Sequence, residues 1–344
     1  MKIAYIYDET IGLHSYGKDH PMNPFRITMT HSLVKSYKLE NHLDLFAPTK
    51  VEMTTFHSEK YLKSIGIDET QDCPFFENMI DFCERYASAS VNGASLLNTG
   101  AYRCVVNWAG GLHHAKKEEA SGFCFVNDIC MAILELLSKY ERVMYIDIDV
   151  HHGDGVEEAF LDNDRVLTIS FHKYGEGFFP DTGTLVTGNW KAINVPIQNG
   201  IDDDSYHYLY KPIISNAIKK FKPTAIVFQS GADSLGEDKL GTFSLSIKGH
   251  SECLKFVSDF DIPLLVLGGG GYTIHNVARC WAYETASLCC ADVPQYIPED
   301  NPFRRLFEPN FESNPVLNCK YMNLNKKKYL DSIMGFIQDK IDML

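Results

Sequence analysis

This sequence of 344 residues lacks cysteine motifs, long apolar runs and an excess of basic charge. Its ten cysteines include one adjacent pair, Cys289 and Cys290, but no CxxC spacing, so we expect reduced thiols rather than a disulfide or zinc-ribbon framework. No apolar run is long enough to predict a membrane-spanning helix. The N-terminal segment MKIAYIYDET is typical of a strand and lacks the basic region and cleavage site of a signal peptide. These absences together predict an intracellular protein.

The charge balance is acidic, with 32 Lys and Arg against 45 Asp and Glu and a formal net charge of −13. Such a surface argues against direct binding of nucleic acid, which requires a basic face. It is compatible with a cationic peptide as substrate. Solubility alone would explain the acidity equally well.

Short apolar runs alternate with longer helical patterns, as in α/β proteins. We expect strands at Ile3–Tyr7, Cys104–Asn107, Val143–Asp149, Val166–Phe171, Ala192–Val195, Ala225–Gln229 and Leu264–Leu267. We expect helices at Pro24–Tyr37, Glu77–Leu97, Gly122–Leu137, Asp203–Lys220, Ile247–Phe260, Thr273–Leu288 and Lys326–Ile341. Several strands are apolar on both faces, which predicts a doubly wound, mainly parallel sheet with helices on both faces. Because no repeat or convincing linker interrupts the pattern, residues 1–344 are predicted to form a single domain.

The densest polar cluster, YIDIDVHHGDG at 145–155, lies at the end of a predicted strand. Because side chains alternate along a strand, Asp147, Asp149 and His151 are expected to point to the same side. With no Lys or Arg among them, these groups would repel one another unless a cation lay between them. Carboxylate and imidazole ligands suit Zn²⁺, with Fe²⁺, Co²⁺ or Mn²⁺ as alternatives. A helix cap at Asp154 beside a buried hydrogen-bonded pair would explain fewer of these polar residues.

Three further polar clusters follow predicted strands, where sites in such sheets are expected to form. His113 and His114 follow two glycines and are compatible with a metal site, an acid–base pair or an ordinary core or surface role. Asp233 follows a Gly-Ala turn, and capping of the next segment would explain it equally well. The four glycines before Tyr272 are not followed by the Gly-Lys-Ser/Thr of a phosphate-binding loop and do not have the GxGxxG spacing. We therefore expect them to let the backbone pass close to a substrate and to direct Tyr272 toward it.

Taken together, these motifs resemble the zinc-dependent histone deacetylases, class I in particular, of the arginase/deacetylase superfamily. The segments that carry the resemblance are HHAKKEEASGFCFVND (His113–Asp128), YIDIDVHHGDGVEEAF (Tyr145–Phe160), ISFHKYGEGFFPDTG (Ile169–Gly183), GADSL (Gly231–Leu235) and LGGGGYT (Leu267–Thr273), with HPMNPFR (His20–Arg26) and QDCP (Gln71–Pro74) in matching order. The resemblance extends from about Lys2 to about Cys319. It implies the arginase/deacetylase fold and hydrolysis of N6-acetyl-lysine in proteins, histone tails foremost. It further implies chromatin regulation and transcriptional repression in the nucleus, with the cytoplasm also compatible.

The resemblance also implies roles for eight polar residues of the four clusters. The ligands of a single Zn²⁺ would be Asp149, His151 and Asp233. His114, backed by Asp154, would be the general base, and His113, backed by Asp147, would mainly stabilise charge. The hydroxyl of Tyr272 would donate to the developing oxyanion.

The acyl-lysine path of the family maps onto this sequence as well. Its tunnel and rim positions fall on Asp72, Gly122, Phe123, Phe179 and Leu240. The pocket beneath the metal, through which acetate would leave, falls on Met22, Arg26, Leu112 and Cys124. A structural monovalent cation, K⁺ by resemblance, would use Asp147, Ser170 and backbone carbonyls of Asp149, His151 and Phe171. Without the resemblance, Phe123 and Phe179 would be interpreted as ordinary core aromatics.

The sequence departs from the family where several class I members bind an inositol phosphate against a corepressor. Asn23, Lys239 and His275 stand where Lys, Arg and Arg are usual, and Asp19 adds a negative charge. We therefore expect no bound inositol phosphate. Acetylated lysine peptides are the expected partners, with corepressor proteins as possible further partners.

Three other functions compete with lysine deacetylation of proteins. An acetylpolyamine or small-amide deacetylase would use the same scaffold, and the class I character of the motifs favours a peptide substrate instead. A non-catalytic corepressor subunit is disfavoured because all catalytic positions are intact. A binuclear manganese hydrolase of the arginase type would be excluded by one bound zinc per chain.

Overall fold

The computed structural model describes residues 2–67, 72–175 and 177–344. Its strands are β1 (Ile3–Ile6), β2 (Leu43–Phe46), β3 (Cys104–Asn107), β4 (Val143–Asp147), β5 (Val166–Lys173), β6 (Ala192–Ile197), β7 (Ala225–Gln229) and β8 (Leu264–Leu267). These strands form one sheet in the order β2-β1-β3-β8-β7-β4-β5-β6, with every described pairing parallel.

Helices cover both faces of this sheet. They are α1 (Phe25–Ser36), α2 (Glu59–Ser64), α3 (Met79–Asn98), α4 (Asp128–Leu136), α5 (Asp154–Phe160), α6 (Asp203–Phe221), α7 (Ile247–Ser258), α8 (Ile274–Leu288) and α9 (Lys327–Asp342). Successive strand residues alternate between two hydrophobic cores: Met144 and Ile146 join the larger, and Tyr145 joins the smaller. The larger core includes residues of α1, α6, α7, α8 and α9, and the smaller includes residues of α3, α4 and α5. The predicted doubly wound α/β fold is thus confirmed.

The central strands bring four loops to one edge of the sheet. Asn107 pairs with Leu267, Leu267 with Gln229, and Gln229 with Asp147, so the carboxyl ends of β3, β8, β7 and β4 lie level. The segments after these strands contain each of the polar clusters singled out above. Among the described residues, no helix combines the length and hydropathy needed to cross a membrane.

Several predicted boundaries were wrong, each for a local reason. The helix predicted at Gly122–Leu137 begins at Asp128, because Gly122 and Phe123 have φ values of 54° and 68°, and Asn127 caps α4 by accepting from the N–H of Cys130. The strand predicted to reach Asp149 ends at Asp147, whose Oδ1 accepts from the Asp149 N–H at 3.0 Å.

Among the strands and α-helices of the described residues, three were not predicted at all. The edge strand β2 is short and partly exposed, with the sequence LDLF, so it lacks the apolar run that marks the central strands. Helices α2 and α5 span six and seven residues, too short to show a clear helical period.

Candidate active site

Asp149, His151 and Asp233 form a buried cluster with the composition of a metal site. One ligand atom from each lies within 4.8 Å of the others. His151 Nδ1 is 3.1 Å from Asp149 Oδ1 and 3.1 Å from Asp233 Oδ2. Asp147, which the strand periodicity placed on the same side, lies outside this three-residue set, because the chain leaves the strand at that residue.

The second oxygen of each carboxylate is held by the protein. Asp149 Oδ2 accepts from the Gln229 side chain at 3.0 Å and from the Gly270 N–H at 2.8 Å. Asp233 Oδ1 accepts from the Val150 N–H at 2.9 Å. The other two oxygens, Asp149 Oδ1 and Asp233 Oδ2, each lie 3.1 Å from His151 Nδ1, and Asp149 Oδ1 also accepts from the His151 N–H at 3.0 Å.

The cluster requires a positive charge. Burial and then the charge of Asp149 raise the pKa of Asp233 to about 7. Burial opposes protonation of His151, but hydrogen bonds to Asp149 and Asp233 outweigh it and raise the pKa of His151 to about 10. Two carboxylates this close thus hold either a proton or a cation between them, and two carboxylates with an imidazole are suitable zinc ligands.

His113 and His114 lie beside this cluster, each backed by a carboxylate. His113 Nδ1 is 2.8 Å from Asp147 Oδ2, and His114 Nδ1 is 2.7 Å from Asp154 Oδ1. Asp154 begins α5, yet its carboxylate reaches His114 and, at 2.6 Å, Lys116 instead of capping the helix. The structure thus brings together the two histidine–carboxylate pairs that the resemblance implied.

The two histidines have opposite pKa shifts. Although burial opposes it, the charges of Asp147 and Asp149 raise the pKa of His113 to about 9. Burial and then the charge of His113 lower the pKa of His114 to about 3. At neutral pH, His113 is therefore a cation and His114 a neutral base.

Two residues of the α4 N-terminus hold the histidine loop, and sequence reasoning gave neither a role. Asp128 accepts from the N–H groups of Gly111 and Leu112, both at 2.9 Å. The Asn127 amide donates to the carbonyl of Ala115 at 2.9 Å. Both residues belong to the motif HHAKKEEASGFCFVND, but a role at long sequence separation leaves no signal in one sequence.

Tyr272 is buried, and its backbone is hydrogen-bonded to Asp238. Asp238 Oδ2 accepts from the Tyr272 N–H at 2.7 Å and from the Thr273 N–H at 3.1 Å. Burial and then the charge of Asp233 raise the pKa of Tyr272 well above its usual value, so its hydroxyl stays protonated and can donate. Asp238 was also missed, although it follows the GADSL motif by only a few residues.

A single pocket of about 280 Å³ connects these groups to solvent. It is lined by Asp72, His114, Gly122, Phe123, His151, Phe178, Phe179, Leu240 and Tyr272. All five predicted tunnel and rim residues therefore lie together. Phe179 and Leu240 are 41% and 38% exposed at the mouth, whereas His114 and Tyr272 are each 4% exposed. Gly122 has no room for a side chain, since a Cβ there would lie 2.3 Å from His114 Cδ2.

Phe178 is a further pocket residue that sequence reasoning missed. Its ring stacks on the His151 imidazole, with centroids 5.2 Å apart and planes inclined by 9°. The Lys173 ammonium lies 5.5 Å from the Phe178 ring centroid. The neighbouring Phe179 was the only aromatic of this pair that the resemblance singled out.

The predicted exit-pocket residues are all buried, and one of them contacts the glycine-rich loop. Arg26 donates to the carbonyls of Gly271 at 2.7 Å and Gly269 at 2.6 Å, just before Tyr272. Met22, Leu112 and Cys124 are each no more than 5% exposed and belong to the larger core.

The predicted monovalent-cation residues lie at and just after the end of β4 and within the neighbouring strand β5. Asp147 of β4 is level with Ser170 of β5. His172 Nε2 is 2.7 Å from the Gly183 carbonyl, so it donates, and its Nδ1 accepts from the Ser170 hydroxyl at 2.9 Å. Because the Ser170 hydroxyl donates its hydrogen bond to His172, the lone pairs on Oγ remain available to coordinate a cation.

Comparison with known proteins agrees with this geometry. The family described as "Histone deacetylase domain" matches residues 20–288. Proteins named Histone deacetylase 1 from Homo sapiens, Bos taurus and Rattus norvegicus are each 47% identical over an alignment of 367 residues that covers 100% of this chain and 76% of theirs. The chain belongs to the histone deacetylase family, as a class I zinc-dependent hydrolase of acetyl-lysine amide bonds.

Proposed function

We propose that the 280 Å³ pocket is the active site, in which the protein hydrolyses N6-acetyl-lysine of histone tails and releases acetate. The observation that carries this proposal is the meeting of three features in one narrow pocket. These are a buried three-ligand cluster, a neutral histidine and a protonated tyrosine. Amide hydrolysis needs an activated water, a stabilised oxyanion and a protonated leaving amine, and this set of residues supplies the groups for each.

Asp149, His151 and Asp233 would hold one zinc ion. The fit rests on the donor set and on the repulsion between its two buried carboxylates, which a cation would relieve. When bound, zinc acts as a Lewis acid that polarises the amide carbonyl and lowers the pKa of a water molecule.

His114 would take a proton from the attacking water and return it to the lysine amine. Its Nδ1 faces Asp154, which leaves Nε2 as the basic atom, and the ring lines the pocket. The low pKa of His114 keeps it unprotonated at neutral pH, as a general base must be. His113, a cation held by Asp147, would stabilise the negative charge that develops nearby.

Tyr272 would donate its hydroxyl proton in a hydrogen bond to the oxyanion. Its ring lies at the deep end of the pocket, with centroids 5.8 Å from Phe123 and 6.4 Å from His151. A donor already fixed in place needs no reorganisation as charge develops, which is what makes such groups effective.

The pocket walls suit the four methylenes of an acyl-lysine. Phe123, Phe178 and Phe179 offer apolar surface, and Leu240 stands at the rim. Asp72 at the rim would accept from backbone N–H groups of the peptide. Met22, Arg26, Leu112 and Cys124 would line the acetate exit, and Asp147 and Ser170, with carbonyls of Asp149, His151 and Phe171, would hold K⁺.

We further propose that residues 1–344 form one catalytic domain that works in the nucleus, with acetylated peptides and corepressor proteins as partners. The single sheet supports one domain, as does the packing of α9, where Lys340 Nζ donates to the Ala192 carbonyl of β6 at 2.7 Å. Partner binding that depends on an inositol phosphate is not expected, because Asn23 is uncharged and the lowered pKa of His275 keeps that residue neutral at pH 7.

The test is turnover of an acetylated histone-tail peptide beside N-acetylated spermidine, each with and without a chelator. We expect the peptide to be deacetylated, the activity to vanish with the chelator and zinc to restore it. Deacetylation of N-acetylated spermidine but not of the peptide would favour an acetylpolyamine deacetylase. A zinc-loaded protein that turns over neither compound would favour a non-catalytic subunit.

A further inference from the structure

A fully buried polar cluster lies behind the proposed metal site, between α7, α8 and the loop after β7. His250, Cys280, Glu284 and Ser230 are each 0% exposed, and none has a role in the proposed reaction. Groups of this kind are costly to bury without hydrogen-bond partners, so their contacts identify what the cluster does.

His250 is held from both sides of its ring. Its Nδ1 is 2.8 Å from Glu284 Oε1, and Ser230 Oγ lies 3.0 and 2.8 Å from the two oxygens of Glu284. On the other side, Nε2 is 2.9 Å from the Gly231 carbonyl. Because a carbonyl can only accept, Nε2 of His250 must donate, and Glu284 fixes the direction in which it does so.

The backbone that His250 contacts leads directly to Asp233. The Trp281 indole donates to the Ser230 carbonyl at 2.8 Å, and the Ala232 N–H donates to the Gly270 carbonyl at 2.9 Å. From the front, Asp149 packs so closely that a Cβ on Gly231 would lie 2.1 Å from Asp149 Oδ2. The segment 230–232 is therefore fixed from behind by α7 and α8 and from the front by the metal cluster.

A second metal ion is the alternative explanation of this cluster. Ligand atoms of His250, Cys280 and Glu284 lie within 4.8 Å of one another. However, both ring nitrogens of His250 and both oxygens of Glu284 already have protein partners. Hydrogen bonding thus accounts for the cluster without an ion.

We propose that His250, oriented by Glu284, is a positioning residue that fixes the 230–232 backbone and thereby sets Asp233 in the zinc site. This inference rests on the proposed role of Asp233 as a zinc ligand. Groups that orient metal ligands typically change metal affinity by about 10–100-fold when removed.

The test compares His250→Leu, which removes both ring contacts, with His250→Gln, whose amide can still donate to the Gly231 carbonyl. We expect His250→Leu to weaken zinc binding by about 10-fold or more, measured by competition with a chelating dye. His250→Gln should recover most of that affinity. A control is Asn301→Leu, because Asn301 is buried and hydrogen-bonded to Ser32 and Ser36, and none of these residues belongs to the pocket or to the metal cluster. This control should lower the unfolding midpoint of the zinc-free protein and leave zinc affinity unchanged.

Several outcomes would overturn the proposal. Unchanged zinc affinity in folded His250→Leu would do so, as would an equal loss in Asn301→Leu or two zinc ions per wild-type chain. Should His250→Leu not fold, Glu284→Gln takes its place, and unchanged affinity there would count equally against it. Asp233→Ala separates the two levels. If Asp233→Ala still bound zinc, the proposed metal site would be wrong as well. If Asp233→Ala lost zinc while His250→Leu bound it normally, only the positioning role would be wrong.

Discussion

At the scale of single residues, His113 and His114 are neighbours in the chain with opposite proton affinities. The carboxylates of Asp147 and Asp149 favour a charged His113, while burial and the charge of His113 favour a neutral His114. Two adjacent histidines alone are compatible with several roles. The proposed division between base and charge stabiliser depends on where the surrounding carboxylates lie in space.

His114→Ala should lower kcat by at least ~100-fold, because it removes the proposed general base. Zinc should stay bound, since His114 is outside the ligand cluster. His113→Ala should cost less. The measurements are kcat and zinc content of each variant, and near-normal turnover of zinc-loaded His114→Ala would reject the assignment. The opposite ranking of the two variants would exchange their roles.

Tyr272→Phe should cost about 2.7–4 kcal/mol of transition-state stabilisation, because the ring remains and the oxyanion donor is lost. Inhibitors that chelate zinc should bind Tyr272→Phe about as well as wild type. Comparing kcat with inhibitor affinity in the same preparation tests both statements. An unchanged kcat would mean that another group holds the oxyanion.

At the scale of elements, the central strands and the polar residues at their ends could be predicted because both leave a local pattern. Short apolar runs mark β3, β4, β7 and β8, and the polar clusters follow them. The start of α4 could not be predicted, because helix-compatible residues at 122–127 take a looped path that includes positive φ at Phe123. Asp238 and Phe178 were missed for a related reason: their partners, Tyr272 and His151, lie far away in the chain.

Asp238 connects two loops of the site, and its replacement should affect catalysis rather than metal binding. Its Oδ1 accepts from the N–H groups of Leu240 and Gly241, while Oδ2 accepts from those of Tyr272 and Thr273. In Asp238→Asn, an NH₂ group must face one of these donor pairs, at a cost of about 1–3 kcal/mol for unsatisfied donors. We expect kcat to fall with zinc content unchanged.

The matched control is Asp202→Asn at the N-terminus of α6, where Asp202 accepts from the Ser205 N–H at 2.9 Å. That variant should change the unfolding midpoint and leave kcat as in wild type. Equal kcat values for Asp238→Asn and wild type would show that the Tyr272 loop holds its position without this carboxylate.

At the scale of the whole molecule, a buried histidine makes stability depend on pH. His57 donates from Nδ1 to the Lys117 carbonyl and accepts at Nε2 from the Asn127 N–H, both at 2.9 Å. Burial lowers the pKa of His57 to about 4. In the unfolded chain, the histidine has a pKa of about 6.5. The contribution of neutral His57 to the free energy of unfolding is therefore complete above about pH 6.5 and is lost as the pH falls toward 4.

We expect the titration of His57 to lower the free energy of unfolding by about 2 kcal/mol as the pH falls from about 7.5 to about 5. His57→Gln keeps a donor and an acceptor but does not titrate, so its stability should fall less over the same interval. Urea unfolding of both proteins at the two pH values measures the difference. Parallel losses in wild type and variant would contradict the assignment to His57.

The distribution of charge also bears on regulation, since a polyphosphate needs converging Lys and Arg side chains. Asn23 has no charge, and its Oδ1 accepts from the Phe25 N–H at 3.0 Å. Burial and then the charge of Arg279 lower the pKa of His275, so this residue is neutral at pH 7. Arg279 itself is buried and donates to the Glu312 carbonyl at 3.0 Å. Lys239 lacks the guanidinium fork of arginine.

We therefore expect the isolated chain to deacetylate peptides without an inositol phosphate and to be insensitive to added inositol hexakisphosphate. The measurement is the deacetylation rate during a titration with that compound. The double variant Asn23→Lys with His275→Arg is a positive control, because it restores two cationic side chains and should gain a response. A saturable rise in the wild-type rate at micromolar ligand would contradict the prediction. It would mean that other basic side chains, Lys18 among them, outweigh the repulsion from Asp19 and converge on the phosphates.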